Sequence, residues 1–157
     1  YPNTIVSLNI SPETKIGKVI NKENDEYVIY LVSGKTISLT KEKFLKLLEK
    51  EKMCISDYDV IYTQKVKGII PSFIDKLYKE RVDAKKEMNK YQKQLNKETD
   101  DLIKKKIEQK IQDLDTEQNV YKLILNSIYG VFAQKYSPLF DIDHSASVKD
   151  RKQFIER

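Results

Sequence analysis

The sequence has a single cysteine, Cys54, so no internal disulfide can form and nothing points to a secreted, disulfide-held protein. With one histidine beside that cysteine there is no cysteine/histidine cluster for structural zinc. No apolar run approaches the roughly 20 residues that a membrane span needs, and no signal or transit peptide is visible. A membrane partner is therefore not expected. No internal repeat or low-complexity tract stands out. The chain opens on Tyr1 rather than methionine and reads as a segment of a longer polypeptide.

What the sequence has is charge. Asp, Glu, Lys and Arg make up 34% of its 157 residues and apolar side chains only 39%, which suits an elongated, surface-rich shape. Lys and Arg number 29 against 24 acidic residues, a net charge of +5. That modest basic excess fits a polyanion partner without requiring one. Many lysines alternate with glutamate and aspartate, the pattern of a solvated helix face.

Taken in order, residues 1 to about 14 begin apolar and are stopped by Pro12. Lys15 to Leu39 is β-like. Tyr27–Leu31 and Lys35–Leu39 are rich in β-branched and aromatic residues, with Ser33-Gly34 as a tight turn between them. Thr40 caps a short amphipathic helix carrying Phe44, Leu45, Leu47 and Leu48. Ile55 to Ile70 returns to β-like sequence, with Val60, Tyr62 and Val66 alternating. Pro71 suits the first turn of a helix.

From Pro71, apolar residues recur at Phe73, Leu77, Ala84, Met88, Tyr91 and Leu95. The missing slot is Arg81. A second run follows at Ile103, Ile107, Ile111, Leu114, Tyr121 and Leu125. The polar stretch 96–101 lies between, with Thr99, Asp100 and Asp101 able to cap a helix start. An antiparallel helical hairpin with a narrow apolar seam accounts for both runs. Each arm would be roughly 35–45 Å long at about 1.5 Å per residue. Folding the chain near 97–100 sets Arg81 opposite about 116–119, with Lys122 within about one turn. Arg81 and Lys85 share a face at i, i+4. Arg81, Lys85, Lys122 and Asn126 then converge near the base of the hairpin, where an anion can be held. A lone lysine in so basic a helix is ordinarily just solvated. Arg81 is different, because a charge occupies an apolar seam position.

The stretch Lys122–Gly130 carries the densest chemistry. Lys122, Asn126 and Tyr129 sit at i, i+4 and i+7, one cation, one carboxamide and one phenol on one face. Leu123, Ile124, Leu125 and Ile128 fill the other sides, and Gly130 stands where a helix C-cap would fall. Such a face can grip an anion and touch something flat; the plainer alternative is a buried helix end that carries polar residues. Further on, Asp141, Asp143 and His144 could suggest a metal site, but such a group in a loop is more often solvated or helix-capping. No metal ligand is assigned in this chain.

The spelling Lys-x-x-x-Asn-Ser-x-Tyr-Gly over Lys122–Gly130 resembles motif B of the family B DNA polymerases. Tyr1-Pro2, followed by Asn9-Ile10-Ser11-Pro12-Glu13-Thr14, resembles the second half of motif A, Asp-x-x-Ser-Leu-Tyr-Pro-Ser, with Asn3 where the family has serine. Gly68-Ile69-Ile70-Pro71 with Arg81 and Lys85 is similar to the opening of the family's fingers domain. The Asn9–Thr14 spelling resembles the T-even phage branch.

The resemblance implies an α+β fold, a long two-helix fingers hairpin on a small β-containing partial palm. Its parts would be partial palm at 1–70, fingers at 71–129 and a return into the palm at 130–157. It implies that Arg81, Lys85, Lys122 and Asn126 bind the triphosphate of an incoming deoxynucleotide, with Lys122 the catalytic cation beside the leaving pyrophosphate. Tyr1 would lie beneath the sugar and exclude a 2'-hydroxyl, and Tyr129 and Gly130 would lie against the nascent base pair. The implied partners are primer-template DNA, deoxynucleoside triphosphates and the rest of the polymerase chain, and the implied place is the cytoplasm, a host's if a phage encodes it. Two Mg2+ ions would serve the intact polymerase, their aspartate ligands lying outside these residues, so the segment alone is expected to be inactive. The fingers of this family swing, with hinges expected at Gly68–Pro71 and Gly130–Ala133. The rival reading is a non-enzymatic basic helical hairpin that binds nucleic acid or a partner helix, in which Asn126, Tyr129 and Gly130 have no special role.

Overall fold

The computed structural model describes residues 2–135, 141 and 143–147. It is an α+β protein containing a five-stranded antiparallel sheet and two long helices that pack together. The chain divides into two compact units. One comprises the residues up to Phe73 together with those from Ile128 onward, and the other is Ile74–Ser127.

The first unit opens with helix α1, Pro2–Leu8, and Ile5 on it is fully buried. The helix ends in a left-handed residue, Asn9, at φ 56°. The Ile10 amide reaches back to the Ile5 carbonyl at 2.9 Å and the Asn9 amide to Val6 at 3.2 Å, the paired bonds of a Schellman termination. Asparagine tolerates that backbone better than other non-glycine residues. A 3-10 turn over Pro12–Thr14 follows.

The strands are β1 (Lys15–Asn21), β2 (Glu26–Leu31), β3 (Thr36–Thr40), β4 (Met53–Ile55) and β5 (Val60–Thr63). Their order across the sheet is β3-β2-β1-β5-β4. The β2–β3 turn uses Gly34 at φ 89°, as Ser33-Gly34 leads one to expect. Helix α2, Lys41–Lys50, starts at Thr40, whose Oγ1 accepts from the Lys43 amide at 3.3 Å. It lays Phe44 into a core formed with Val19, Ile29 and Ile61. Leu45, expected on the apolar face, is 53% exposed. In β5 the consecutive residues Val60, Ile61 and Tyr62 are all buried, because both faces of this inner strand are covered. Val66 does not extend that strand and is exposed.

The second unit is a helical hairpin within α3 (Ile69–Lys97) and α4 (Asp101–Ala133). Asp100 caps α4, its Oδ1 accepting from the Leu102 amide at 2.9 Å and the Ile103 amide at 3.4 Å. On α3 the buried or half-buried positions include Ile74, Leu77, Arg81, Ala84, Met88, Tyr91 and Leu95. On α4 they include Ile107, Ile111, Leu114, Gln118, Tyr121 and Leu125. Both runs step by three and four in turn. Phe73, expected in the seam, is 46% exposed, while Ile74 is 2% exposed. Two successive steps of four rotate a residue off the seam, whereas the three that follows a four keeps it there. Ile103 is likewise outside the seam, at 43% exposure.

Gly130 is not a C-cap. Helix α4 continues to Ala133, and Phe132 is fully buried. A side chain at Gly130 would meet nothing within 4 Å, so no steric demand fixes glycine there. Nor is α4 buried on every other side near its end, since Leu123 is 68% exposed.

Candidate functional site

Arg81, Lys85, Lys122 and Asn126 all belong to the hairpin unit. Two contacts between its helices set the register. Lys110 Nζ donates to the Tyr91 hydroxyl at 3.1 Å. Nearer the base, the Tyr121 hydroxyl donates to Glu117 at 2.9 Å on its own helix, with Glu80 of α3 also beside it. Those two carboxylates, Glu117 first, raise the Tyr121 pKa to about 12 and keep the phenol protonated. Tyr91 and Glu80 are as far apart along α3 as Lys110 and Tyr121 are along α4, so the pairing holds over that length. Arg81 is one residue nearer the tip than Glu80 and Lys122 one residue nearer the base than Tyr121, so the two lie within about 3 Å along the hairpin axis. Lys85 lies one turn towards the tip and Asn126 one turn towards the base, each about 6 Å along its helix.

Burial separates the four. Lys85, Lys122 and Asn126 are exposed, whereas Arg81 is half-buried and its Nε has no hydrogen-bond partner. A charged side chain seated in an apolar seam keeps its hydrocarbon stem dry while its guanidinium head reaches outward. The polar slot on the facing helix is Gln118, 8% exposed, with its Oε1 also unpartnered. Sequence reasoning passed over Gln118. The signal was there, as the seven-residue gap between Leu114 and Tyr121, which mirrors the gap that singles out Arg81.

A second constellation lies in the other unit, where the Asn9–Thr14 segment holds the start of α3. Asn9 Oδ1 accepts from the Gly68 amide at 2.8 Å, and Ser11 Oγ from the Ile70 amide at 3.4 Å. A carboxylate oxygen of Glu13 accepts from the Ile69 amide. Burial works to raise the Glu13 pKa, but its bonds to Ser11 and Ile69 outweigh that and hold it below the ordinary value. Asn9 Nδ2 also donates to the Thr63 and Val66 carbonyls at 2.7 and 2.8 Å. A Cβ on Gly68 would come within 2.6 Å of the Ser11 Cβ, so this backbone approach needs glycine. The orphan amides at the α3 N-terminus are thus satisfied by residues more than fifty positions earlier.

Residues 1–151 match the model of DNA polymerase family B. The chain belongs to that family. It is 29% identical over 150 residues to a DNA polymerase of Invertebrate iridescent virus 6, an alignment that covers 88% of this chain and 12% of that protein. The chain therefore spans about an eighth of the length of this polymerase relative.

The residues present do not fit the pair of metal ions that a family B polymerase implies. Among the described residues no group of three His, Cys, Asp or Glu side chains is placed to hold an ion. Asp141 and Asp143 are occupied otherwise. Lys15 Nζ lies 3.1 Å from Asp141 and 2.8 Å from Asp143, and Lys18 Nζ lies 3.2 Å from Asp143. Burial works to raise the Asp143 pKa, but hydrogen bonds from Lys15 and Lys18 overcome it and hold the carboxylate low. Asp141 Oδ1 also caps the short helix 143–147, accepting from the Asp143 amide at 2.8 Å. His144 is fully buried, its Nδ1 2.9 Å from the Tyr62 hydroxyl. These residues are structural in this polymerase segment. Tyr1 lies outside the described residues, as does the side chain of Tyr129.

Proposed function

We propose that the Ile74–Ser127 hairpin is the fingers element of a DNA-directed DNA polymerase and binds the triphosphate of the incoming deoxynucleotide. The observation that carries this reading is Arg81, a half-buried guanidinium in the seam within about one turn of Lys122, which lies on the helix that spells motif B. In nucleotide addition negative charge builds on the leaving pyrophosphate. Lys122 supplies a compact cation for it, and Arg81 and Lys85 supply cations for the rest of the triphosphate. Asn126 donates an uncharged hydrogen bond one turn further along. Tyr129 and Gly130 face the nascent base pair, and Tyr1 excludes the ribose hydroxyl. The two Mg2+ ions are held by aspartates outside these residues, so the 157 residues alone do not extend a primer.

The phage-like branch and a host-cytoplasm location rest on the Asn9–Thr14 spelling. Coding sequence on either side of the segment tests both, together with the motif A aspartate five positions before Tyr1.

The deciding experiment is substitution in an intact polymerase carrying this segment. Lys122→Ala is expected to slow single-nucleotide incorporation by about a hundredfold, the scale of losing a transition-state donor, and to leave duplex affinity nearly unchanged. Lys93→Ala and Lys97→Ala at the hairpin tip are expected to leave incorporation unchanged. If the tip lysines matter as much as Lys122 and Asn126, and binding falls steeply with salt, the hairpin is a basic nucleic-acid-binding module instead.

A further inference from the structure

In the runs of threes and fours that α3 and α4 bury against each other, the polar slots are Arg81 and Gln118. The contacts of Tyr91 with Lys110 and of Glu80 with Tyr121 place these two slots within about one helical turn of each other. Each leaves one side-chain atom buried and unpartnered, and the two atoms are complementary. Arg81 Nε–H is a donor without an acceptor, and Gln118 Oε1 is an acceptor without a donor. The other end of the Gln118 amide is committed. Its Nε2 donates to Asp115 Oδ1 at 3.0 Å and to Asn119 Oδ1 at 3.1 Å. Two acceptors on its own helix therefore fix the amide's orientation and leave Oε1 as the free end. Of the described buried side-chain atoms that make no hydrogen bond, the remaining one, His144 Nε2, belongs to the other unit and has Asp141 Oδ2 3.4 Å away.

We propose that Gln118 is a positioning residue for Arg81, its Oε1 accepting the Arg81 Nε–H when the guanidinium engages the nucleotide's triphosphate. This rests on the reading of Arg81 as a triphosphate ligand. A guanidinium presents an Nε edge and an Nη edge, and both can grip an anion. Securing Nε inside the seam leaves the two Nη groups as the edge turned to the phosphates, and holds the plane in one orientation. A buried donor and a buried acceptor at one level, neither satisfied, are costly as they stand and become favourable once joined. The energetic preference for joining is thereby available to the step in which the cation meets its anion. The same amide cannot serve Lys122, whose exposed ammonium has no second edge to be fixed.

The test is a double-mutant cycle in an intact polymerase carrying this segment. Gln118→Met keeps the length of the side chain and removes the acceptor. Nucleotide incorporation is measured against deoxynucleoside triphosphate concentration for the parent, Gln118→Met, Arg81→Ala and the double variant, with duplex affinity measured alongside. Gln118→Met is expected to raise the nucleotide KM about tenfold with a smaller change in kcat, the scale of one hydrogen bond to a charged group. In the Arg81→Ala background it is expected to have no further effect. A Gln118→Met enzyme that matches the parent, while Arg81→Ala binds nucleotide poorly, overturns the positioning role and leaves the triphosphate reading standing. Arg81→Ala without effect on nucleotide KM overturns both. An equal loss from Gln118→Met in both backgrounds, or a parallel loss of duplex affinity, marks damage to the fold and also overturns the proposal.

Discussion

Single residues hold more of this structure than their number suggests, and Asn9 is the clearest case. It ends α1 in the left-handed region, is 4% exposed, and uses its carboxamide for three backbone bonds, to Thr63, Val66 and Gly68. Asn9→Asp keeps the acceptor for Gly68 and loses both donors, so the Thr63 and Val66 carbonyls lose the bonds they receive from Asn9. A destabilisation of about 2–4 kcal/mol is expected by urea denaturation of the chain, from two lost hydrogen bonds at ~1–2 kcal/mol each. A loss below ~1 kcal/mol would mean that the side chain is not the clasp described. His144 gives a pH signature. Burial pushes its pKa below 6.5, while Asp141 and Asp143 act in the opposite sense without prevailing. Above the unfolded value both states are neutral and its contribution is complete. As pH falls below about 6.5 the unfolded chain takes up a proton that the folded chain refuses, and stability declines until the folded pKa is passed. Glu13 and Asp143, both held low, give up their contributions only in the carboxylate range. The urea midpoint should therefore drop between about pH 7.5 and about pH 5.5, and His144→Gln should flatten that slope. An unchanged slope in the variant would assign it to other groups.

At the scale of elements, the hairpin is a repeat of threes and fours interrupted once on each helix by a polar side chain. Its cap can be tested by itself. Asp100→Ala removes the acceptor for the Leu102 and Ile103 amides and should cost about 1 kcal/mol of local stability. Amide exchange at those two residues should quicken by about fivefold, with sheet amides such as Val19 unaffected. Exchange that quickened equally throughout would indicate global loss instead. The two helices were legible in the sequence because apolar periodicity survives in a seam this narrow, and Ser33-Gly34, Thr40 and Pro71 read correctly because their roles are local. What was not legible came from long-range pairing. Asn9, Ser11 and Glu13 carry no mark that their acceptors serve amides more than fifty residues away. Gln118 was hidden because a polar residue in a charged helix looks solvated until its partner helix covers it. Phe73 was expected in the seam because it stands four residues before Leu77, yet the step of three from Ile74 is the one the seam uses.

Across the whole molecule, the division into units bears on how a fingers element of this kind would move. The compact units meet in sequence at Phe73–Ile74 and Ser127–Ile128. The start of α3 is tied down before that boundary, since the Gly68, Ile69 and Ile70 amides are all taken by the Asn9–Thr14 segment. On the return strand of the hairpin, Phe132 is fully buried and α4 runs unbroken to Ala133, so the glycine at 130 offers no ready break. Ser127, at the boundary, donates its Oγ back to the Ile124 carbonyl at 2.8 Å, a kind of bond that often bends helices. The proposed fingers swing is therefore expected to pivot at 73–74 and 127–128, after Gly68–Pro71 on α3 and before Gly130–Ala133 on α4. Structures of an intact polymerase carrying this segment, with and without bound nucleotide, should differ in backbone direction at those two points. The three amide bonds to Asn9, Ser11 and Glu13 should persist in both states. If the Gly68 and Ile69 bonds were broken in one of them, the clasp would itself be the hinge, and Asn9 would belong to the moving parts rather than to their anchor.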